Sequence, residues 1–218
     1  MEGKIAKMEI ILTSMDAMLA EAWEYYCEDL QGVSFYRGSI LEVECDAVVS
    51  PANSFGFMDG GIDMAYSLHF GWDVQERLQT IIREKYHGEL LVGQAEIVST
   101  ENEAIPYLIA APTMRVPMVL SAESVNPYLA ARAVLLLVKY SAFEQGPLQG
   151  QSIGQTVRRV AFPGLGTGVG QIDPKICAIQ VRQAIEEVVF EQAQFPQNWV
   201  QAVRSHQLLQ NRETRELN

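Results

Sequence analysis

Two short stretches of this chain combine residue types that could do chemistry. Residues 50–63 read S-P-A-N-S-F-G-F-M-D-G-G-I-D. An apolar run ends there, the chain turns, and Gly60 and Gly61 let the backbone come close to a ligand before a helix pattern begins. A helix start offers unpaired N–H groups and the positive end of a dipole, which suits a phosphate. The second stretch holds Gly164, Gly166, Gly168 and Gly170, with Thr167 and Val169 between them. Side chains that small leave successive N–H groups free to form an anion-binding nest. Either stretch alone is also what an ordinary strand–turn–helix connection requires. Together they could grip a diphosphate from both sides, with Asn53 and Asp63 beside the attached sugar.

The second stretch lacks the Gly-Lys-Ser/Thr of a Walker loop and the G-x-G-x-x-G spacing of a dinucleotide fingerprint. His69, six residues after Asp63 on the same short helix pattern, reads as a packed or surface residue. Asp59 should face solvent. Arg158 and Arg159 read as surface residues, and Trp72, Phe55 and Phe57 as packing that could instead line a ring-binding wall. No G-x-S-x-G elbow is present, and no Cys/His pairing follows from spacing, so covalent catalysis has no support.

These residues need a scaffold that brings the two loops together. Strand patterns fall at residues 8–12, 33–37, 47–50, 95–99, 107–111 and 159–162, alternating with helix patterns. A helix over 16–27 carries Leu19, Ala22, Trp23 and Tyr26 on one face, and a short helix covers 61–70. Over 73–87, Asp73 and Glu76 form a capping-box pair, and Val74, Leu78, Ile81, Ile82 and Lys85 keep the helical period. Asn126 caps a helix with Pro127 at its first position and a buried stripe of Leu129, Ala133, Leu136, Leu137 and Tyr140. Residues 145–155 read as a loop. Asp173 and Pro174 start a helix whose face is Cys177, Val181, Ala184, Ile185 and Val188. Such alternation predicts a mainly parallel sheet covered by helices on both faces, with ligands beyond the carboxyl ends of the strands. Both glycine loops follow strands, so both belong at that edge. Residues 1–195 read as one domain, and 196–218 as a polar, weakly helical extension.

Composition narrows the function classes. The chain has 218 residues, 48% hydrophobic and 20% charged, an ordinary globular balance. Its 16 basic and 27 acidic residues give a net charge of −11, which argues against broad nucleic-acid binding. A bound anion must then be held by local N–H dipoles. Apolar runs are too short to span a bilayer, and residues 1–11, with Lys4 and Lys7, lack an export signal's apolar core. Cys27, Cys45 and Cys177 show no zinc or disulfide spacing and read as buried or neutral thiols in a reducing cytoplasm.

The two loops and the runs before them resemble the macro domain. The matching stretches are residues 37–40, R-G-S-I; 45–53, C-D-A-V-V-S-P-A-N; 60–63, G-G-I-D; and 161–169, A-F-P-G-L-G-T-G-V. Their order and spacing agree over about residues 34–190. The resemblance implies a three-layer α/β/α fold that binds ADP-ribose through Ser39, Ile40, Gly60, Gly61, Ile62, Gly164, Gly166, Thr167, Gly168, Val169 and Gly170. In the hydrolase branch an Asn and an Asp ten residues apart flank the distal ribose. On that pattern Asn53 bonds the ribose hydroxyls and Asp63 positions or polarises the attacking water, with no metal or cofactor. At the first turn of a helix the dipole should favour an ionised Asp63.

The chain also departs from the pattern. Ser39 stands where the family's Asp reads adenine, Met58 and Asp59 where that branch has glycines, and Gly170 where an aromatic ring often covers the distal ribose. The F-G-F-M run at 55–58 resembles a second branch acting on acidic side chains or DNA, but Gly60 replaces that branch's lysine. Three functions remain open: hydrolysis of an ADP-ribosyl linkage (on protein, O-acetyl-ADP-ribose or ADP-ribose-1″-phosphate), reading of ADP-ribose without turnover, and a structural role that keeps only the fold.

Overall fold

A computed structural model of the chain describes residues 8–210. The segment with Lys4 and Lys7 and the last eight residues lie outside the described residues. Strand β1 (Glu9–Ser14) leads into helix α1 (Ala17–Cys27), capped by Asp16, whose carboxylate accepts from Leu19 N at 2.9 Å. Strand β2 (Val33–Arg37) ends in a 3₁₀ turn, Ile40–Glu42. Strand β3 (Ala47–Ser50) precedes helices α2 (Gly61–Phe70) and α3 (Asp73–Lys85). Strands β4 (Glu96–Ser99) and β5 (Tyr107–Ala110) come next. They are followed by α4 (Asn126–Tyr140), the single turn α5 (Ile153–Thr156) and β6 (Arg159–Phe162). Helices α6 (Pro174–Val188) and α7 (Trp199–Leu208) complete the described chain.

The strands form one six-stranded sheet, ordered β2-β1-β6-β3-β5-β4, in which only the β4–β5 pair is antiparallel. The sheet is mainly parallel, as the alternation of patterns predicts, and the β4–β5 pair makes it mixed. β3 lies inside the sheet with all four residues buried, which explains its unbroken apolar run. One face packs on α1, α4 and α6 through residues such as Trp23, Val134 and Val181. The other packs on α2 and α3 through Tyr66, Leu78 and Ile82. The result is three layers, α/β/α. No helix among the described residues is long and apolar enough to cross a membrane.

Several expectations need correction. The buried stripe of α4 is Ala130, Ala131, Val134, Leu135 and Val138 with Ala133, while Leu129, Leu136 and Leu137 are half-buried and Tyr140 is exposed. The helix is apolar on two faces, and the packing against α6 selects the one with smaller side chains. Asp73 is the first residue of α3 rather than its cap, because Trp72 already holds helical angles. α3 ends at Lys85, which is exposed. Asn126 lies inside α4 and donates its amide to Thr113 O at 2.7 Å instead of capping. The predicted loop at 145–155 contains the start of α5.

Candidate ligand-binding crevice

The carboxyl ends of the parallel strands face one crevice of about 590 Å³. Every residue that the resemblance assigns to ligand binding or catalysis is in its wall: Ser39, Ile40, Asn53, Gly60, Gly61, Ile62, Asp63, Gly164, Gly166, Thr167, Gly168, Val169 and Gly170. The volume is in the range that small-molecule sites occupy. Among the described residues no Lys, Arg or His lines it, whereas Asp16, Asp59 and Asp63 do. An anion there meets backbone N–H dipoles and hydroxyls such as those of Ser39 and Thr167 rather than a cation.

Those dipoles come from two places. Helix α2 starts at Gly61 behind Gly60, which offers no side-chain cap, and among the described residues no group accepts from the N–H of Gly61, Ile62 or Asp63. A Cβ built on Gly60 or Gly61 would meet nothing, and Gly61 holds a φ of +57°, where a side chain is strained. In the facing loop, among the described residues, no protein group accepts from the N–H of Thr167, Gly168 or Val169. The loop is braced from below, because Gln171 N donates to Gly168 O and Ile172 N to Gly166 O. Gly168 opens onto empty space. A Cβ on Gly164 would run into Thr167 Oγ1 and Leu19, so that glycine serves packing. Gly170 is packed 2.5 Å from Gly166 O at the position of a would-be Cβ. Backbone packing therefore leaves no room for an aromatic side chain there.

Asp63 sits in the first turn of α2 and is buried. Its Oδ1 accepts from Ser50 Oγ at 2.5 Å. Burial pushes its pKa up from 3.8 to about 6, and the Ser50 hydroxyl opposes part of that shift. Burial thus works against the helix dipole that favours ionised Asp63, although the carboxyl still ionises below neutral pH. Tyr66 OH donates to Val49 O at 3.0 Å and Ser67 Oγ to Met58 O at 2.9 Å, which fix α2 against β3 and its loop.

Asn53 turns its amide onto its own loop. Nδ2 donates to Phe57 O at 2.8 Å, and Oδ1 accepts from the N–H of Phe55 and Phe57 at 3.1 and 3.3 Å. Ser39 caps the 3₁₀ turn, accepting from Leu41 N at 3.3 Å, and keeps its hydroxyl hydrogen to donate. Asp59 and Phe57 are exposed on the rim. His69 is exposed and packs edge-on to Phe70, outside the lining. Trp72 and Phe55 are also outside it. Arg158 and Arg159 lie at the opposite end of the sheet, where both backbone N–H groups donate to Asp46. Cys27, Cys45 and Cys177 are all buried, and burial pushes their thiols up to about 12, 11 and 12.

Sequence reasoning missed the contributions of Ser14, Met15 and Asp16 after β1, of Thr113, Met114 and Pro117 after β5, and of Ser50. The rule that ligands sit beyond parallel strand ends could have found them, since β1 and β5 end at the same edge.

A three-layer sheet domain with two glycine loops facing one crevice is the class that the fold and site define. The family model described as Macro domain matches residues 49–181, and the chain belongs to that family. An uncharacterized protein of Aquifex aeolicus is 31% identical over 72% of this chain and 80% of its own length. Among solved structures, the macrodomain of Mycobacterium tuberculosis DarG superposes with a TM-score of 0.54 at 18% identity, over 69% of this chain and 87% of that one. A mutant Oceanobacillus iheyensis macrodomain solved with ADPR superposes at 0.57 and 17% identity, over 83% and 90%.

Proposed function

We propose that this protein binds ADP-ribose in the crevice and hydrolyses an ADP-ribosyl linkage there. The observation that carries the binding is the pair of N–H sets, at residues 61–63 and 167–169, that among the described residues have no partner and face a crevice wall without a basic side chain. That arrangement suits a diphosphate, whose two charged groups can each take one set. ADPR in the Oceanobacillus relative supports the same ligand class.

Asp63 supplies the chemistry. A carboxyl with a pKa of about 6 is mostly ionised at neutral pH yet close enough to it to take and return a proton. Water's oxygen bonds to the distal ribose or to an ester carbonyl carried on it, and the bond to the leaving group breaks. Water's proton passes to Asp63 and then to the leaving group. Substrates of this kind are ADP-ribosylated protein, O-acetyl-ADP-ribose and ADP-ribose-1″-phosphate.

A reader without turnover is the second reading. It is favoured by Asn53, whose amide is bonded to residues 55 and 57 rather than held ready for a ribose. Calorimetric titration with ADP-ribose, AMP and ATP tests the shared part of both readings. ADP-ribose should bind and AMP much more weakly. Equal affinity for the two, or no heat with either, would remove both readings.

A further inference from the structure

A second cleft, of about 1340 Å³, runs along the outer edge of β4 between α3 and α4. Its apolar wall is the second face of α4, Leu136, Leu137 and Tyr140, with Ile81 opposite and Ile97 on the floor. Tyr140 is 65% exposed, although its face is as apolar as a core stripe. A helix apolar on two faces needs cover for both. The packing against α6 covers one; on the other, Leu136 and Leu137 are half-buried against the core and Tyr140 is left exposed.

The free edge of β4 is partly taken by side chains. Glu96 Oε1 accepts from Ile97 N at 3.0 Å, and Arg77 Nε donates to Ser99 O at 3.0 Å. These side chains take two of the edge groups that a pairing strand would need, which disfavours pairing there. What the cleft accepts is therefore side chains, as a helix laid in a groove presents them.

The chain carries such a helix without a cover. No residue of α7 is buried, and Phe195, Trp199 and Val200 are 87%, 81% and 76% exposed. The helix is nevertheless held in place at its end. Gln180 Nε2 donates to both Leu209 O and Ser124 O, and Gln210 Nε2 donates to Glu123 O. That clamp fastens α7 beside the start of α4 and leaves Trp199 in solvent, out of its own cleft. Charge complements shape. The cleft wall carries Asp73, Glu76, Glu96, Glu101 and Glu144 against Arg77 and Lys85. Residues 192–210 contain no Asp or Glu and present Arg204 and His206.

We infer that two copies of this chain associate by laying α7 of one, led by Trp199, into the α3–β4–α4 cleft of the other. A two-fold arrangement lets each copy give its helix and receive its partner's. The two clefts share no lining residue, so this contact stands or falls independently of ADP-ribose binding.

The test uses full-length Trp199→Glu and Tyr140→Glu, both at exposed positions, with circular dichroism and melting temperature as checks of folding. Trp199→Ala provides a milder version. Sedimentation should show wild type as a dimer and each Glu variant shifted to monomer, with self-association weakened about thirtyfold or more, as for a central aromatic anchor. An equimolar mixture of the two Glu variants should regain a weakened dimer, because the intact cleft of one can take the intact helix of the other. Wild type that stays monomeric would overturn the inference and leave the cleft to some other occupant. Variants that remain dimeric, or a mixture that stays monomeric, would overturn it equally.

Discussion

Ser50 and Asp63 share a 2.5 Å hydrogen bond that ties the last residue of β3 to the first turn of α2, beneath the crevice. The hydroxyl donates to the ionised carboxylate and so works against the desolvation that raises Asp63. Ser50→Ala removes the donor but not the burial. The Asp63 pKa should then climb further above 6, readable as a displaced carboxyl titration in NMR of the folded protein. An unmoved titration would mean that the bond does not hold the charge.

The same carboxyl makes stability depend on pH. Folded Asp63 keeps its proton up to about pH 6, whereas unfolded Asp63 loses it near 3.8. Between those values the native state binds more protons, so stability falls as pH rises through the window. Above about 6 the full cost is present, about 3 kcal/mol. Asp63→Asn removes this contribution. Urea unfolding from pH 4 to 7 should show the variant gaining on wild type as pH rises, with the difference level above 6. A difference that is constant across the range would assign the stability change to something other than this proton.

Gly168→Glu tests where the phosphates sit. Position 168 opens onto empty space, so a side chain fits without moving the backbone. A carboxylate there opposes an anion and shields the N–H groups of residues 167–169. ADP-ribose affinity should fall by two orders of magnitude or more, on the order of 3 kcal/mol, with the melting temperature little changed. Gly164→Ala is the opposite control. Its Cβ meets Thr167 Oγ1 and Leu19, so it should lower stability before it alters the crevice. Normal binding by folded Gly168→Glu would misplace the phosphates.

The loops were legible because glycine spacing and strand–helix alternation are local signals, and parallel topology carries both loops to one edge. The α4 stripe was not. Leu129, Leu136 and Tyr140 keep the helical period as faithfully as Ala130, Val134 and Leu135, and the choice between the faces depends on which is small enough to pack on α6. Asn53 and Asp63 were legible as residues but not as environments. Whether an amide faces a ligand or the turn that it closes depends on residues 55 and 57 folding back over it. Likewise the dipole at α2 was foreseeable, while the burial that outweighs it depends on how β3 and α2 pack.

Asp63→Ala separates an enzyme from a reader. Asp63 lines the crevice as an acid among phosphate-binding dipoles, so its charge opposes a bound diphosphate. A pure reader should bind ADP-ribose as well or better without it. An enzyme should also keep binding but lose turnover, because an interaction made mainly in the transition state affects kcat more than affinity. A positioned base contributes about 10²–10⁴-fold, so the loss should be of that size. Both quantities are to be measured on wild type and variant with ADP-ribosylated protein and O-acetyl-ADP-ribose. The wild-type rate should also rise as pH increases through about 6, since only the ionised form accepts a proton. Turnover that survives the substitution unchanged would clear Asp63 of a catalytic role. Tight binding with no wild-type turnover on any ADP-ribosyl substrate would leave the reader, with Asn53 serving its loop and Asp63 serving the joint with Ser50.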